Sequence, residues 1–383
     1  MNKFLFRILV IVNCQLSIVN SYAQDSSRLR ISLLTCAPGS ELYSTFGHSA
    51  FRVIDSNSVT DVVYNYGTFN FGEDGFYLKF MRGKLPYYLS LENYRDFEDF
   101  YRSENRGITE QVLNLTADQK QRVRHFLNEN ARPENRAYKY DFFLDNCTTR
   151  LRDIIQREQD SSFGSKPVMP VGTRFRQAIH QYLNAGGKDW SKLGIDILLG
   201  LPCDAVMTPQ QMQFLPDNLM KSLDSSNEGH HLVLSEVNLY PIANDGNSKT
   251  FFTPLLVFSL LFVFIALLSF WKNSTAQTIL SGFDGLLFFF TGLLGIILVL
   301  MWIATDHSMT KNNFNLLWAL PTHAVIAFFI NSKKNWVKKY FRFTALLMIA
   351  LLAAWYFLPQ QMNNSLLPVV LLLLLRSGMR YVA

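Results

Sequence analysis

Tyr140-Asp-Phe-Phe-Leu-Asp-Asn-Cys-Thr-Thr-Arg150 is the stretch around which the chain is organised. Cys147 sits where a loop becomes a helix. Thr148 and Thr149 are good capping residues, and Leu151, Ile154 and Ile155 follow at helical spacing. A thiol at a helix N-terminus meets the positive end of the helix dipole and backbone N–H groups without intrahelical acceptors. Both favour the thiolate, the form that attacks carbonyl carbon. The structural alternative is a small cysteine packed under a helix.

A cysteine nucleophile needs a base, and the base needs a polar group to orient it. Upstream, residues 30–36 read as a strand and residues 37–40 as a turn. Phe46-Gly-His-Ser-Ala-Phe-Arg-Val-Ile54 and Asp61-Val-Val-Tyr-Asn-Tyr66 read as a β-hairpin, with His48 at the start of its first strand. Pairing Arg52 with Asp61 sets Asn65 opposite His48. Tyr64 or Tyr66 takes that place if the register slips by one. Helices are expected over about 74–82, 93–104, 116–130, 173–185, 190–200 and 208–223, and a strand over 108–115. Thr116-Ala-Asp-Gln119 has the capping-box pattern. His180 reads as a packing or surface residue, and His230 and His231 as solvated.

Composition divides the chain. Of its 383 residues 49% are hydrophobic, and the apolar runs concentrate after residue 250. Residues 1–23 read as an export signal, with Lys3 and Arg7 ahead of an apolar stretch and Ser21-Tyr-Ala23 at the cleavage position. Residues 24–250 then form the exported catalytic domain and 251–383 a membrane domain. Its five expected spans begin with 251–271, 285–304, 314–330 (interrupted by Pro321 and His323) and 343–358, and the fifth centres on 366–375. The loops 305–313 and 359–365 hold Lys311 as their one basic residue. Lys333, Lys334, Lys338, Lys339 and Arg342 fall between spans three and four, which sets the C-terminus in the cytoplasm. The net charge of +6 is accounted for by this topology rather than by nucleic acid. No P-loop, Rossmann glycine pattern or zinc-type cluster occurs, so neither cofactor nor metal is expected. Export leaves Cys36, Cys147 and Cys203. A Cys36–Cys203 disulfide would leave Cys147 free, and three unpaired thiols are the alternative.

A helix-start cysteine and a strand histidine form the papain-like pair, here with the histidine first. That is the order of circularly permuted papain-like folds, including the lecithin–retinol acyltransferase type and permuted cell-wall peptidases. The expected fold is therefore α+β, a circularly permuted papain-like domain followed by an all-α transmembrane bundle. The stretches 42–53, 61–69, 140–150 and 193–200 resemble the Lnb N-terminal periplasmic domain family over roughly residues 30–225. The resemblance implies a lipoprotein intramolecular transacylase of the inner membrane. Its partners would be a diacylated lipoprotein and membrane lipid. The sn-2 acyl chain of the diacylglyceryl-cysteine would pass through a Cys147 thioester to the α-amine, giving a lyso-form lipoprotein. His48 and Cys147 match the presumed catalytic pair. Tyr140, Asp141, Asn146 and Arg150 share the motif, as substrate contacts or as structural supports. Asp306 and His307, in the outer loop beside the domain, are candidates for a headgroup or the amine, or are ordinary loop residues. A cysteine peptidase or amidase on cell-wall peptide, or a non-catalytic envelope binding module, would fit the same pair.

Overall fold

The computed structural model describes residues 27–159, 163–224, 231–240 and 251–382. The export signal, His230 and the junction at residue 250 lie outside the described residues.

Seven strands form one antiparallel sheet: β1 Leu29–Cys36, β2 His48–Asp55, β3 Thr60–Thr68, β4 Pro86–Asn93, β5 Ile108–Leu113, β6 Ala137–Lys139 and β7 Val233–Tyr240. Their spatial order is β6-β4-β3-β2-β1-β5-β7. The first helices of the chain are α1 Phe76–Met81, α2 Tyr94–Ser103, α3 Ala117–Ala131 and α4 Cys147–Glu158. They are followed by α5 Phe175–Ala185, α6 Asp189–Leu198, α7 Pro209–Met212 and α8 Pro216–Asp224. The expected 208–223 helix is divided, because Pro216 has no N–H to continue the first piece.

β1 is an interior strand, and both of its faces are covered. Leu29, Ile31 and Leu33 pack with Phe51 and Tyr64 beneath α3, α4 and α8, through Leu127, Leu151 and Leu219. Leu34 and Cys36 pack on the other side against Tyr94, Phe97 and Tyr101 of α2. The Thr116–Gln119 capping box is present at the start of α3.

Three strand readings change. β4, β6 and β7 occupy stretches that the sequence reading left unassigned. The β2–β3 ladder pairs Phe51 with Tyr64 and Ile54 with Asp61, two residues from the expected register. A shift of two keeps every side chain on its face. Arg52 therefore still reaches Asp61 diagonally, in two bonds of 2.8 and 2.6 Å.

The C-terminal region is helical: α9 Pro254–Ser269, α10 Ser274–Ile303, α11 His323–Ile326, α12 Asn335–Ala354 and α13 Leu367–Val382. Among the described residues two helical stretches, Ser274–Ile303 and Asn364–Val382, are long and apolar enough to cross a membrane, and Pro254–Ser269 is a shorter apolar helix. The expected third span is not one helix. It is built of short turns at Phe314–Leu317, His323–Ile326 and Ala327–Phe329, interrupted at Pro321. It packs so closely on α10 that a Cβ at Gly292 or Gly295 would fall about 2 Å from its backbone. Buried Asp284 of α10 accepts bonds from Arg376 and Arg380 of α13, so the charges inside this region are paired.

The two regions are clasped together at α6. Asp196 accepts bonds from Arg176 and His180 of the sheet domain and from Asn363 of the loop before α13. Asn313 and Asn315 donate to the Ile197 carbonyl, Gln360 donates to that of Leu199, and the Gly200 N–H donates to Met309. Both loops, 305–313 and 359–365, thus face the sheet domain. His180 is part of this clasp, not a free surface residue.

Candidate active site

Asn146, not Thr148 or Thr149, caps α4. Its side chain accepts from the Thr149 N–H at 2.8 Å, and the Thr149 hydroxyl accepts from the Asn146 N–H at 2.8 Å. Such a cap is worth about 1 kcal/mol. The Asn146 amide also donates to the Phe142 and Phe214 carbonyls, tying the cysteine turn to the neighbouring core. Cys147 is then the first residue of α4, and its own N–H has no acceptor within the helix.

His48 opens β2. Gly47 before it has φ +75, and a Cβ there would lie 2.7 Å from the Cys36 carbonyl oxygen. Gly47→Ala is therefore expected to destabilise the fold by about 2 kcal/mol or more. It should also displace His48, which a thermal melt and the rate of Cys147 alkylation would both register.

His48 Nε2 and Asn65 Oδ1 are 2.6 Å apart. The Asn65 amide nitrogen donates to Glu92 at 2.8 Å, so its oxygen faces the imidazole and accepts from Nε2–H. That tautomer leaves Nδ1 for the cysteine. Glu92 also accepts from Ser90, which pairs with Thr68 at 2.7 Å. The orienting chain thus runs four residues past the histidine. Tyr64 and Tyr66 point into the core instead. Glu92 was absent from the sequence reading. The alternation Tyr88, Ser90, Glu92 against Tyr87, Leu89, Leu91 was the signal for β4.

Burial alone would raise the Cys147 thiol. The charge and hydrogen bond of His48 oppose it, with help from the Ser49 N–H and the Thr148 hydroxyl, and bring it down to about 7. Burial likewise works against the His48 imidazolium, yet Cys147 and Asn65 carry it above its ordinary value. Each partner stabilises the other's charged form. Of the three cysteines among the described residues, Cys147 alone is pulled down. Burial pushes Cys36 and Cys203 up to about 12. The Cys36–Cys203 disulfide is not formed, and all three cysteines are free. Cys36 lies on the sheet against Tyr101, whereas Cys203 is buried in a separate core with Phe175 and Phe214.

The pair opens into a cavity of about 440 Å³ walled mainly by apolar and aromatic side chains, among them Phe69, Phe80, Tyr87 and Tyr140. Arg106 and His307 also line it. Gly67, at a register break in the β3–β4 ladder, has φ +92, and its Cβ position would be 3.5 Å from that of Cys147. The motif residues divide. Tyr140 lines the cavity and stacks on Tyr87. Asp141 caps the turn through the Phe143 and Leu144 N–H groups. Arg150 is bidentate to Asp145 and lies over the Tyr138 ring. Asp306 pairs with Lys139 at 3.0 Å outside the cavity wall, whereas His307 forms part of that wall. A larger groove of about 710 Å³, between the start of α10 and residues 327–332, contains none of these residues.

The family model of the Lnb N-terminal periplasmic domain matches residues 21–181, and that of the Lnb transmembrane domain matches residues 246–383. The chain belongs to the Lnb family. No curated protein and no solved structure matches it. As an Lnb-family chain it is an inner membrane protein with a periplasmic N-terminal region. His48, Asn65, Glu92 and Cys147 all lie within the periplasmic match, and His307 within the transmembrane one. The clasp residues Asp196 and Gly200 lie between the two matches.

Proposed function

We propose that this Lnb-family protein is a cysteine-dependent acyltransferase that modifies lipoproteins at the periplasmic face of the membrane. One observation carries the reading: an activated Cys147–His48 pair opens into an apolar cavity whose wall includes His307 of the membrane region. Apolar walls suit an acyl chain better than a cell-wall peptide, and attachment to the membrane suits a substrate anchored there.

In the first half-reaction the Cys147 thiolate attacks the sn-2 ester carbonyl of the diacylglyceryl-cysteine. The Cys147 N–H stabilises the oxyanion. His48 gives its proton to the departing glyceryl oxygen, leaving a thioester and a neutral imidazole. In the second, the free α-amine of the same lipoprotein attacks the thioester. His48 takes the amine proton, and the thiolate leaves as the amide forms. The product carries one O-acyl and one N-acyl chain, and the enzyme returns to its starting ion pair. Asn65 and Glu92 hold the imidazole through both steps.

The test is expression of wild type, Cys147→Ala and His48→Ala in a host lacking lipoprotein N-acylation, with lipoprotein N-termini read by mass spectrometry. Wild type alone should yield N-acylated, singly O-acylated cysteine. Unchanged diacyl lipoprotein in all three strains would sink the proposal. Cleaved cell-wall peptide from wild type alone would establish an amidase instead.

A further inference from the structure

One apolar surface extends from the cavity wall at Phe80 to the outside of the domain. α1 exposes Tyr77 (79%), Leu78 (57%), Phe80 (52%) and Met81 (55%), and Phe71 just before it is 71% exposed. Contiguous exposure of this kind is uncommon on a water-facing surface and marks a contact with something apolar. The structure also says where this patch sits. The Asp306 N–H donates to the Arg82 carbonyl at 2.9 Å, and His307 Nε2–H donates to the Met81 carbonyl at 3.0 Å. Asp306 follows the end of the long apolar helix α10 by three residues. The end of α1 is thus tied to the residues just past the C-terminal end of α10, a helix long and apolar enough to cross a membrane. Lys79, Arg82 and Lys84 flank the patch. Glu73 pairs with Lys79, and Asp306 pairs with Lys139 beside them. Apolar rings with basic flanks suit the headgroup boundary of a phospholipid leaflet.

The patch is continuous with the cavity. Ring contacts link Phe71 to Phe76 (5.2 Å), Phe76 to Phe69 (5.9 Å), Phe69 to Tyr87 (5.3 Å) and Tyr87 to Tyr140 (4.3 Å). Tyr140 stands against the Gly67 gap beside Cys147.

We propose that α1 and the 69–71 turn are seated in the outer leaflet of the inner membrane, and that hydrocarbon chains reach Cys147 laterally along this row of rings without crossing water. The seating rests on this geometry and on α10 crossing the membrane. The lateral route rests on the acyltransferase reading.

Two measurements separate these parts. The full chain, in a Cys147→Ala background, is reconstituted in phosphatidylglycerol-containing vesicles with a nitroxide at Tyr77→Cys. Val59→Cys, on the 90% exposed β2–β3 tip, serves as the control. The Tyr77 label should collide with oxygen in preference to an aqueous nickel chelate, and the Val59 label the reverse. Equal chelate access at both sites would overturn the seating. Next, the Tyr77→Glu, Leu78→Glu double variant, with Cys147 intact, is compared with wild type on a vesicle-anchored diacyl lipopeptide. At least a tenfold loss in kcat/KM is expected, with alkylation of Cys147 by iodoacetamide unchanged. Undiminished kcat/KM would overturn the lateral route. If wild type itself transfers no acyl chain, the enzymatic reading fails and the lateral route fails with it, while the nitroxide pair still decides the seating.

Discussion

His48→Ala is expected to move the pH at which Cys147 becomes alkylatable upward from about 7, back toward the ordinary thiol value of 9.0. The direction follows from the opposing effects at the thiol. Burial raises it, and the charge and hydrogen bond of His48 are the leading influences that bring it down. Without the imidazole, the Ser49 N–H and the Thr148 hydroxyl are left to oppose desolvation. In the wild type the thiolate develops as pH rises through about 7. In the variant it develops at higher pH, and each unit of upward shift lowers the ionised fraction at neutral pH about tenfold. Under the proposed mechanism, losing His48 as the proton carrier should slow acyl transfer by a further 10²–10⁴-fold or so. Iodoacetamide modification against pH, followed by mass spectrometry, reads the first effect without needing substrate. Because the two groups are coupled, the profile reports the pair as a unit. An inflection in His48→Ala still near 7 would refute the ion pair.

Arg176→Met should cost the fold a large share of its stability. The Arg176 side chain is wholly buried, and its guanidinium serves Asp196, Asp204 and the carbonyls of Leu199 and Gly200. Removing it leaves Asp204 buried without its cation and weakens the support of Asp196. Breaking a buried ion pair from one side costs about 3–5 kcal/mol. For a domain of this size that corresponds to a fall in melting temperature on the order of 10 °C. Differential scanning calorimetry of the protein in nanodiscs would measure it. Adding Asp204→Asn should recover part of the loss, because one stranded charge is then neutralised. A melting temperature within a degree or two of wild type would contradict the burial of the cluster.

How much of this was legible in the sequence differs from residue to residue. Cys147 and His48 were readable because each combines a chemistry-bearing side chain with a local boundary signal, a helix start and a strand start. Asn65 was found through a register that proved two residues out, which the two-residue side-chain period of a strand forgives. Glu92 was missed because β4 begins at a proline inside an aromatic-rich stretch, where the alternation is obscured. The third span carried visible interruptions at Pro321 and His323, but its hydropathy gave no sign that it divides into short turns. The α6 clasp was not legible. Asp196, Asn313 and the Gln360–Asn363 pair come from three stretches far apart in sequence, and each alone is ordinary and polar. The disulfide expectation came from counting cysteines, and counting carries no geometry. Cys36 and Cys203 belong to different cores.

The clasp at α6 has a consequence for how the protein can be divided. Gly200 lies so close to the Lys311 backbone that even a methyl group would collide with it, at 1.9 Å. Leu193 is buried in the same apolar cluster as Trp318, and Met309 lies in the core around Phe143 and Phe175. Severed near residue 250, the periplasmic half would present these seams to solvent and lose the His307 side of its cavity. Neither half is a portable module. Recombination between relatives at the obvious linker would join mismatched seams, so the two halves are expected to be inherited, exchanged and engineered as one unit.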